Sequence, residues 1–231
     1  MSYTITANIT PSAAIRLLIS NEMDISGYWE SDQAEMLLEK LYRTNVSELL
    51  KVIDCIEPLD RIESGTLPQF GSLDTLIRVP EVLISTGIDG ISYPQLGFYL
   101  KKDHTASYDT NYKYGETHGK GACQLGVTVC EDSKVHFGAL TNAFYGIGDK
   151  ETQHLLLQKL CFRMPIIQTL LNRAKDSRIN GYAPMGVDSK LTKKRRGICV
   201  KMVLKELHAL GDETLDQRIN NIYWDLGEVN V

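Results

Sequence analysis

The densest group of charged side chains in the sequence is a run of four basic residues, KKRR, that begins at residue 193. If this segment is a helix, four successive cations spread around its axis, so that some of them face away from the protein. Such cations can neutralise the phosphates of a nucleic acid, and an ordinary solvated face is the alternative interpretation. The predicted polyanion-binding residues of this segment are Lys190, Thr192, Lys193, Lys194, Arg195, Arg196 and Lys201.

A second group of polar side chains lies on a predicted helix near the middle of the chain. Apolar and aromatic residues recur there at helical spacing from Tyr112 to Leu125, and Gly126 stands where a helix stop is expected. The side chains able to reach bases or phosphates are Asn111, Lys113, His118 and Lys120. Asparagine and lysine suit the edges of adenine and guanine, so the pattern favours DNA recognition by this helix.

Three glycines interrupt the same predicted helix, at positions 115, 119 and 121. Each weakens a helix by about 1 kcal/mol relative to alanine. A close approach of the helix backbone to DNA or to a neighbouring helix would explain them.

No metal, cofactor or catalytic centre is expected from the sequence. The histidines and the pair Cys123 and Cys130 lack the short spacings of zinc ligands. The five cysteines are scattered and odd in number, which predicts free thiols in a reducing compartment. The acidic residues Asp54, Glu57, Asp60 and Glu63 are spaced like exposed helical acids, not like the carboxylate and lysine set of a nuclease.

The elements around the middle helix follow a recognisable order. Residues 73–84 predict a supporting helix in which Pro80 begins a new turn or a kink, and Ser92 and Pro94 predict the start of the next helix. After Gly126, alternating apolar residues flank the turn at 131–134 and predict a hairpin. The order is therefore helix, turn, helix, wing.

The N-terminal and C-terminal parts of the sequence differ in net charge. Residues 1–100 hold 6 Lys and Arg against 14 Asp and Glu, a net charge of −8, whereas residues 101–231 hold 19 against 15, a net charge of +4. The predicted domains are an acidic helical region at 1–66, a first module at 72–147, and a helical linker with a second module at 148–231. A basic C-terminal part permits DNA binding by an acidic protein.

The segments YGETHGKGACQLG, FGALT, PIIQTLL and LTKKRRGICVKMVL together resemble a family of tandem winged-helix modules. Such modules stand beside restriction endonucleases and other prokaryotic DNA-processing proteins. The resemblance covers roughly residues 72–225, and it implies that the helices around Asn111–Lys120 and Thr192–Lys201 recognise DNA. A winged helix places a hairpin after its reader helix, but residues 211–231 show no clear pair of alternating strands.

The predicted fold is mainly α with small β-wings (α+β), a tandem winged helix-turn-helix with a helical N-terminal region. The predicted function is double-stranded DNA binding in restriction-modification, mobile-element control or transcription regulation. The alternatives are a restriction endonuclease or its recognition subunit, and a protein–protein interaction module. The amphipathic N-terminal helices could also form a homodimer. The chain lacks a membrane-spanning run, and MSYTITANIT lacks the pattern of a secretory signal, so a cytoplasmic location without membrane contact is expected.

Overall fold

The computed structural model describes residues 11–26, 29–101 and 104–227, and it confirms a mainly helical protein with small sheets. The sequence MSYTITANIT lies outside the described residues. Within them, the α-helices are α1 (Pro11–Ile19), α2 (Ser31–Arg43), α3 (Val46–Asp54), α4 (Leu73–Thr86), α5 (Tyr93–Leu100), α6 (Tyr108–Leu125), α7 (Thr141–Gly146), α8 (Lys150–Leu160), α9 (Pro165–Arg173), α10 (Lys190–His208) and α11 (Glu213–Asn220). The strands are β1 (Ile62–Glu63), β2 (Ile91–Ser92), β3 (Thr128–Glu131), β4 (Lys134–Phe137), β5 (Ile179–Asn180), β6 (Met185–Gly186) and β7 (Ile222–Tyr223).

The chain forms two compact units, each built from two separate stretches of sequence. The first unit comprises Met1–Arg43 and Gln69–Leu160, and the second comprises Thr44–Pro68 and Cys161–Val231. The acidic region 1–66 is therefore divided between the units, whereas the predicted module at 72–147 lies within the first. Helix α8, from the segment 148–231 that was predicted as a helical linker with a second module, also belongs to the first unit.

A three-stranded sheet in the order β2-β4-β3 lies in the first unit. Strands β3 and β4 pair antiparallel, with Glu131 opposite Lys134, and β2 pairs antiparallel with the other edge of β4. The turn residues Asp132 and Ser133 both have positive φ, 48° and 60°. Two such residues form the tight turn that matches the twist of a hairpin, so the predicted hairpin is confirmed.

Local sequence signals set the ends of α5 and α6. Gln95 Oε1 accepts hydrogen bonds from the backbone N–H of Ser92 (3.2 Å) and from its hydroxyl (2.7 Å), which fixes the start of α5. Ser107 caps α6 by accepting from the N–H of Thr110, and Gly126 ends it with a left-handed φ of 80°. The predicted start at Ser92 and the predicted stop at Gly126 are both confirmed.

Glycines let α5 and α6 pack with their backbones in direct contact. A Cβ atom on Gly97 would lie 1.9 Å from the carbonyl oxygen of Asn111, and one on Gly115 would lie 1.9 Å from that of Tyr93. On Gly121, a Cβ would lie 2.6 Å from the ring of Phe70. The glycines of α6 thus serve close packing against a neighbouring helix and a core ring.

The rest of the first unit packs around α4, which continues through Pro80 without starting a new helix there. Lys159 on α8 donates its ammonium to the carbonyls of Leu41 and Tyr42 at the end of α2. A cation at the C-terminal end of a helix satisfies carbonyls that have no partner within the helix. Fully buried core side chains of this unit include Phe70, Leu73, Leu76 and Phe144.

In the second unit, Asn45 caps α3. Its side-chain oxygen accepts from the N–H of Glu48 (2.9 Å), whose carboxylate accepts in return from the N–H of Asn45 (3.3 Å). The Asn172 amide on α9 donates to the carbonyls of Ile53 and Ile56 at 3.0 Å each, and so connects α9 to the end of α3. Two short parallel pairs, β1 with β6 and β5 with β7, complete this unit.

An ion pair between a buried arginine and a partly exposed aspartate connects α3 and α11 within the second unit. The Arg218 guanidinium, 5% exposed, donates to both carboxylate oxygens of Asp54, at 2.7 and 3.1 Å. Lys175 also donates to Asp54, at 3.0 Å. Hydrogen bonding to Arg218, with a further contribution from Lys175, holds the pKa of Asp54 below its ordinary value.

The disulfide departs from the sequence prediction of free thiols. Cys123, near the end of α6, and Cys130, in β3, are bonded with a Cα–Cα distance of 6.0 Å, whereas free thiols were expected. Gly126 in the left-handed conformation reverses the chain so that β3 returns beside α6. The other three cysteines, Cys55, Cys161 and Cys199, are free.

The chain after α10 agrees with the sequence, in which residues 211–231 show no clear pair of alternating strands. Among the described residues it forms α11 and the two-residue strand β7, which pairs parallel with β5. An antiparallel hairpin does not occur between residues 209 and 227. The tandem arrangement expected from the sequence therefore lacks the strand pair of its second module.

Candidate nucleic-acid interface

The basic run lies on α10, as predicted. Ser189 caps this helix by accepting from the N–H of Thr192, and an apolar face of α10 is buried, including Val200, Val203 and Leu207. A Cβ on Gly197 would lie 2.4 Å from the ring of Tyr182, so glycine allows this close contact. The packed face fixes which side of α10 remains in solvent.

Most of the cations of α10 occupy that solvent side. Lys190, Lys194, Arg195 and Lys201 are exposed, whereas Thr192, Lys193 and Arg196 are partly buried. Among the described residues, the side chains of Lys194 and Arg195 have no ion-pair partner. The helix thus presents positive charge that the protein itself does not neutralise.

Two apolar side chains lie among these cations. Leu191 is 62% exposed and Ile198 is 61% exposed, and their separation of seven residues places them on one side of the helix. The exposed surface of α10 therefore combines positive charge with apolar contact area.

The position of the cations within α10 is costly for the isolated protein. The N-terminal end of a helix carries a partial positive charge, so a cation in the first turn costs about 0.3–1 kcal/mol in place of the stabilisation that an anion gives. Lys190 is the first residue of α10, and its first turn holds no acidic residue. A bound anion would relieve this unfavourable electrostatics.

Farther along α10, Lys201 contacts two aromatic rings. Its ammonium lies 4.9 Å from the centre of the Trp224 ring and 5.8 Å from that of Tyr182. The two rings meet edge to face, with centres 4.9 Å apart. This aromatic pair was not among the residues predicted from the sequence; a tryptophan in the polar segment after the basic helix is the signal that could have indicated it.

The predicted base-reading residues on α6 are placed differently from the expectation. Asn111 and His118 are each 7% exposed, so neither side chain is presented to a ligand. Asn111 donates to the carbonyl of Ala106 (3.2 Å), and His118 Nδ1 bonds the carbonyl oxygen of Tyr114 (2.8 Å). Burial lowers the pKa of His118, which keeps its imidazole neutral at pH 7.

The two predicted lysines on α6 remain at the surface but share an acidic partner. Glu116 accepts from Lys113 at 3.0 Å and from Lys120 at 2.8 Å. Hydrogen bonding to Lys120, followed by that to Lys113, lowers the pKa of Glu116. The hairpin turn beside this helix exposes Glu131 and Asp132. The surface around α6 is therefore less positive than its lysine content suggests.

The two compact units also differ in net charge, although by less than the two halves of the sequence do. The first unit holds 11 Lys and Arg against 16 Asp and Glu, a net charge of −5, and the second holds 14 against 13, a net charge of +1. The second unit, which carries α10, is therefore the less acidic of the two.

Acidic residues considered for catalysis face cations of their own unit. Asp54 pairs with Arg218 and Lys175, and Asp60 pairs with Arg173 at 2.6 Å. Within residues 11–26, 29–101 and 104–227, no three His, Cys, Asp or Glu residues are grouped so that they could hold a metal ion. In the same part of the chain, every helix is too short or too polar to cross a bilayer. Comparison with known protein families, curated proteins and solved structures finds no match to this chain.

Proposed function

We propose that this protein binds double-stranded DNA through the basic N-terminal half of α10. The observation that carries the proposal is the exposure of Lys190, Lys194 and Arg195 on the first two turns of one helix, where the helix dipole disfavours cations. Leu191 and Ile198 add apolar contact area that suits sugars and thymine methyl groups. Phosphates are anions that match such a surface in charge.

For the first unit we propose a winged helix. What supports it is the element order α4, β2, α5, α6, β3 and β4, together with the strand order β2-β4-β3. Because Glu116 pairs with both Lys113 and Lys120, we assign the main phosphate contacts to α10 and not to α6. A setting in restriction-modification, mobile-element control or transcription regulation rests on the sequence resemblance alone.

The experiment is a titration of the full chain with a mixed-sequence 20-base-pair duplex at several salt concentrations. If Lys190, Lys194, Arg195 and Lys201 each cover one phosphate, the slope of log K against log salt should be about −3.6. Affinity should then fall by about 150-fold between 50 and 200 mM salt. Undetectable binding at 50 mM salt, or a slope close to zero, would refute DNA binding.

A second candidate function, protein binding, is favoured by a groove between α5 and α6. Its cavity of about 500 Å³ is bordered by Phe98, Tyr99 and Tyr108, which are 40%, 43% and 69% exposed. Aromatic side chains at this exposure are enriched in protein interfaces, and the unit that carries them is acidic. Replacement of Tyr108 by alanine should leave duplex affinity unchanged if the groove serves a protein partner, whereas a loss would assign the groove to DNA.

A further inference from the structure

The exposed side of α10 continues from its basic N-terminal half into a cavity. Lys190, Lys194, Lys201 and Lys205 are spaced by four, seven and four residues, so they lie along one edge of the helix. Lys201 follows Lys190 by about 16 Å along the helix axis. A cavity of about 270 Å³ opens at this point between α10, α11 and β7. It is lined by residues that include Lys201, Leu204, Lys205, Asn220, Ile222 and Trp224.

The indole ring of Trp224 is held firmly at the wall of this cavity. A Cβ on Gly181 would lie 2.7–2.8 Å from three atoms of the ring, so the ring rests directly on the backbone at that glycine. Tyr182 meets the ring edge to face, and the Lys201 ammonium lies 4.9 Å from its centre. The Trp224 ring is thus fixed in place, and the long, flexible side chain of Lys201 lies over it.

The chemistry of the cavity combines an aromatic surface, an apolar wall and positive charge. Lys201 and Lys205 supply the cations, and Leu204 and Ile222 supply the apolar wall. His208 also lines the cavity, but it is paired with the Asp216 carboxylate. These features suit a nucleotide. Its base stacks on an aromatic ring and packs against an apolar wall, and its phosphate pairs with lysine.

We infer that this cavity receives one unpaired nucleotide of a DNA strand whose adjoining duplex lies along the basic edge of α10. The inference rests on the proposed DNA binding and specifies its substrate: a junction between duplex and single strand. An unpaired nucleotide is favoured because removal of a base from an intact duplex costs the pairing and stacking energy. On entry, the phosphate draws the Lys201 ammonium away from the Trp224 ring, and the base takes its place.

Tryptophan fluorescence tests the inference, because the chain has two tryptophans and Trp29 is buried in the other unit. A Trp29→Phe variant leaves Trp224 as the only tryptophan, and excitation at the long-wavelength edge of indole absorption avoids the emission of the 11 tyrosines. It should be titrated with a blunt duplex and with the same duplex carrying a three-thymidine extension. The extended duplex should quench Trp224 and bind about 5- to 150-fold more tightly than the blunt one.

Variants of Trp224 supply the control for this preference. Trp224→Ala should abolish the preference for the extension and leave the affinity for blunt duplex unchanged, and Trp224→Phe, which preserves an aromatic ring, should keep part of it. Equal affinity for both DNAs without quenching would overturn the inference while leaving duplex binding intact. Absence of binding to either DNA would overturn both proposals.

Discussion

Removal of positive charge from α10 is the most direct perturbation of the proposed DNA contact. The triple variant Lys190→Ala, Lys194→Ala and Arg195→Ala takes away three of the four exposed cations of α10 that are assigned to phosphates, and these three lie on its N-terminal half. The side chains are exposed, and alanine is the strongest helix former, so the fold should be retained. Loss of a cation from the first turn should also leave thermal stability equal or slightly higher.

The magnitude follows from counterion release. Each phosphate contact contributes about −0.9 to the slope of log K against log salt, so three lost contacts should flatten the slope by about 2.7. Over a fourfold change in salt, this difference amounts to a factor of about 40. The variant should therefore be weakened about 40-fold more at 50 mM salt than at 200 mM salt, relative to the wild type.

The matched control removes the same charge from the other unit. Lys113→Ala, Lys134→Ala and Lys150→Ala takes three exposed lysines from α6, β4 and α8. Fluorescence anisotropy with one labelled duplex, at four salt concentrations, measures both variants against the wild type. If the control variant loses as much affinity as the α10 variant, and its slope of log K against log salt flattens as much, the DNA interface is not on α10 and the assignment of phosphate contacts to that helix is wrong.

The remaining predictions concern packing within each unit. Asp54→Ala should lower the free energy of unfolding by about 3 kcal/mol because the buried Arg218 loses its carboxylate, while Asp60→Asn at an exposed site should change it little. Urea unfolding measures both, and equal losses would contradict the assignment. Because the pKa of Asp54 is lowered in the folded protein, its contribution is complete above the ordinary carboxyl pKa of about 4 and is lost as the pH falls through the folded value. The difference in the free energy of unfolding between the wild type and Asp54→Ala should therefore decrease as the pH is lowered. Gly115→Ala should cost about 3 kcal/mol, since the new Cβ meets a backbone oxygen, whereas Gly146→Ala, with open space around it, should cost nothing in the same assay.

Features set by a few neighbouring residues could be predicted from the sequence. The start of α5 depends on Ser92 and Gln95, and the end of α6 depends on Gly126, whose missing side chain permits positive φ. The helical state of residues 190–208 follows from its cap and its mixture of apolar and long charged side chains. In each case the deciding interaction lies within one or two turns of the chain.

Features set by distant residues could not be predicted in this way. Arg218 meets Asp54 across 164 positions of sequence. Which side of α6 is buried depends on how α5 docks against it, and that contact at Gly97 and Gly115 buries Asn111. The disulfide depends on a distance that only the reversal of the chain after α6 provides. Spacing along the sequence carries none of this information.

The electrostatics of the two units argue for a division of roles. In the first unit, each exposed lysine of α6 has an acid within reach, so little charge is left over for a polyanion. In the second unit, the cations nearest the start of α10 lie at the positive end of the helix dipole, which destabilises the folded protein when no anion is bound. A bound phosphate would relieve this unfavourable electrostatics, which supports the proposed DNA contact at α10, and the cavity at Trp224 lies farther along the same side of the helix.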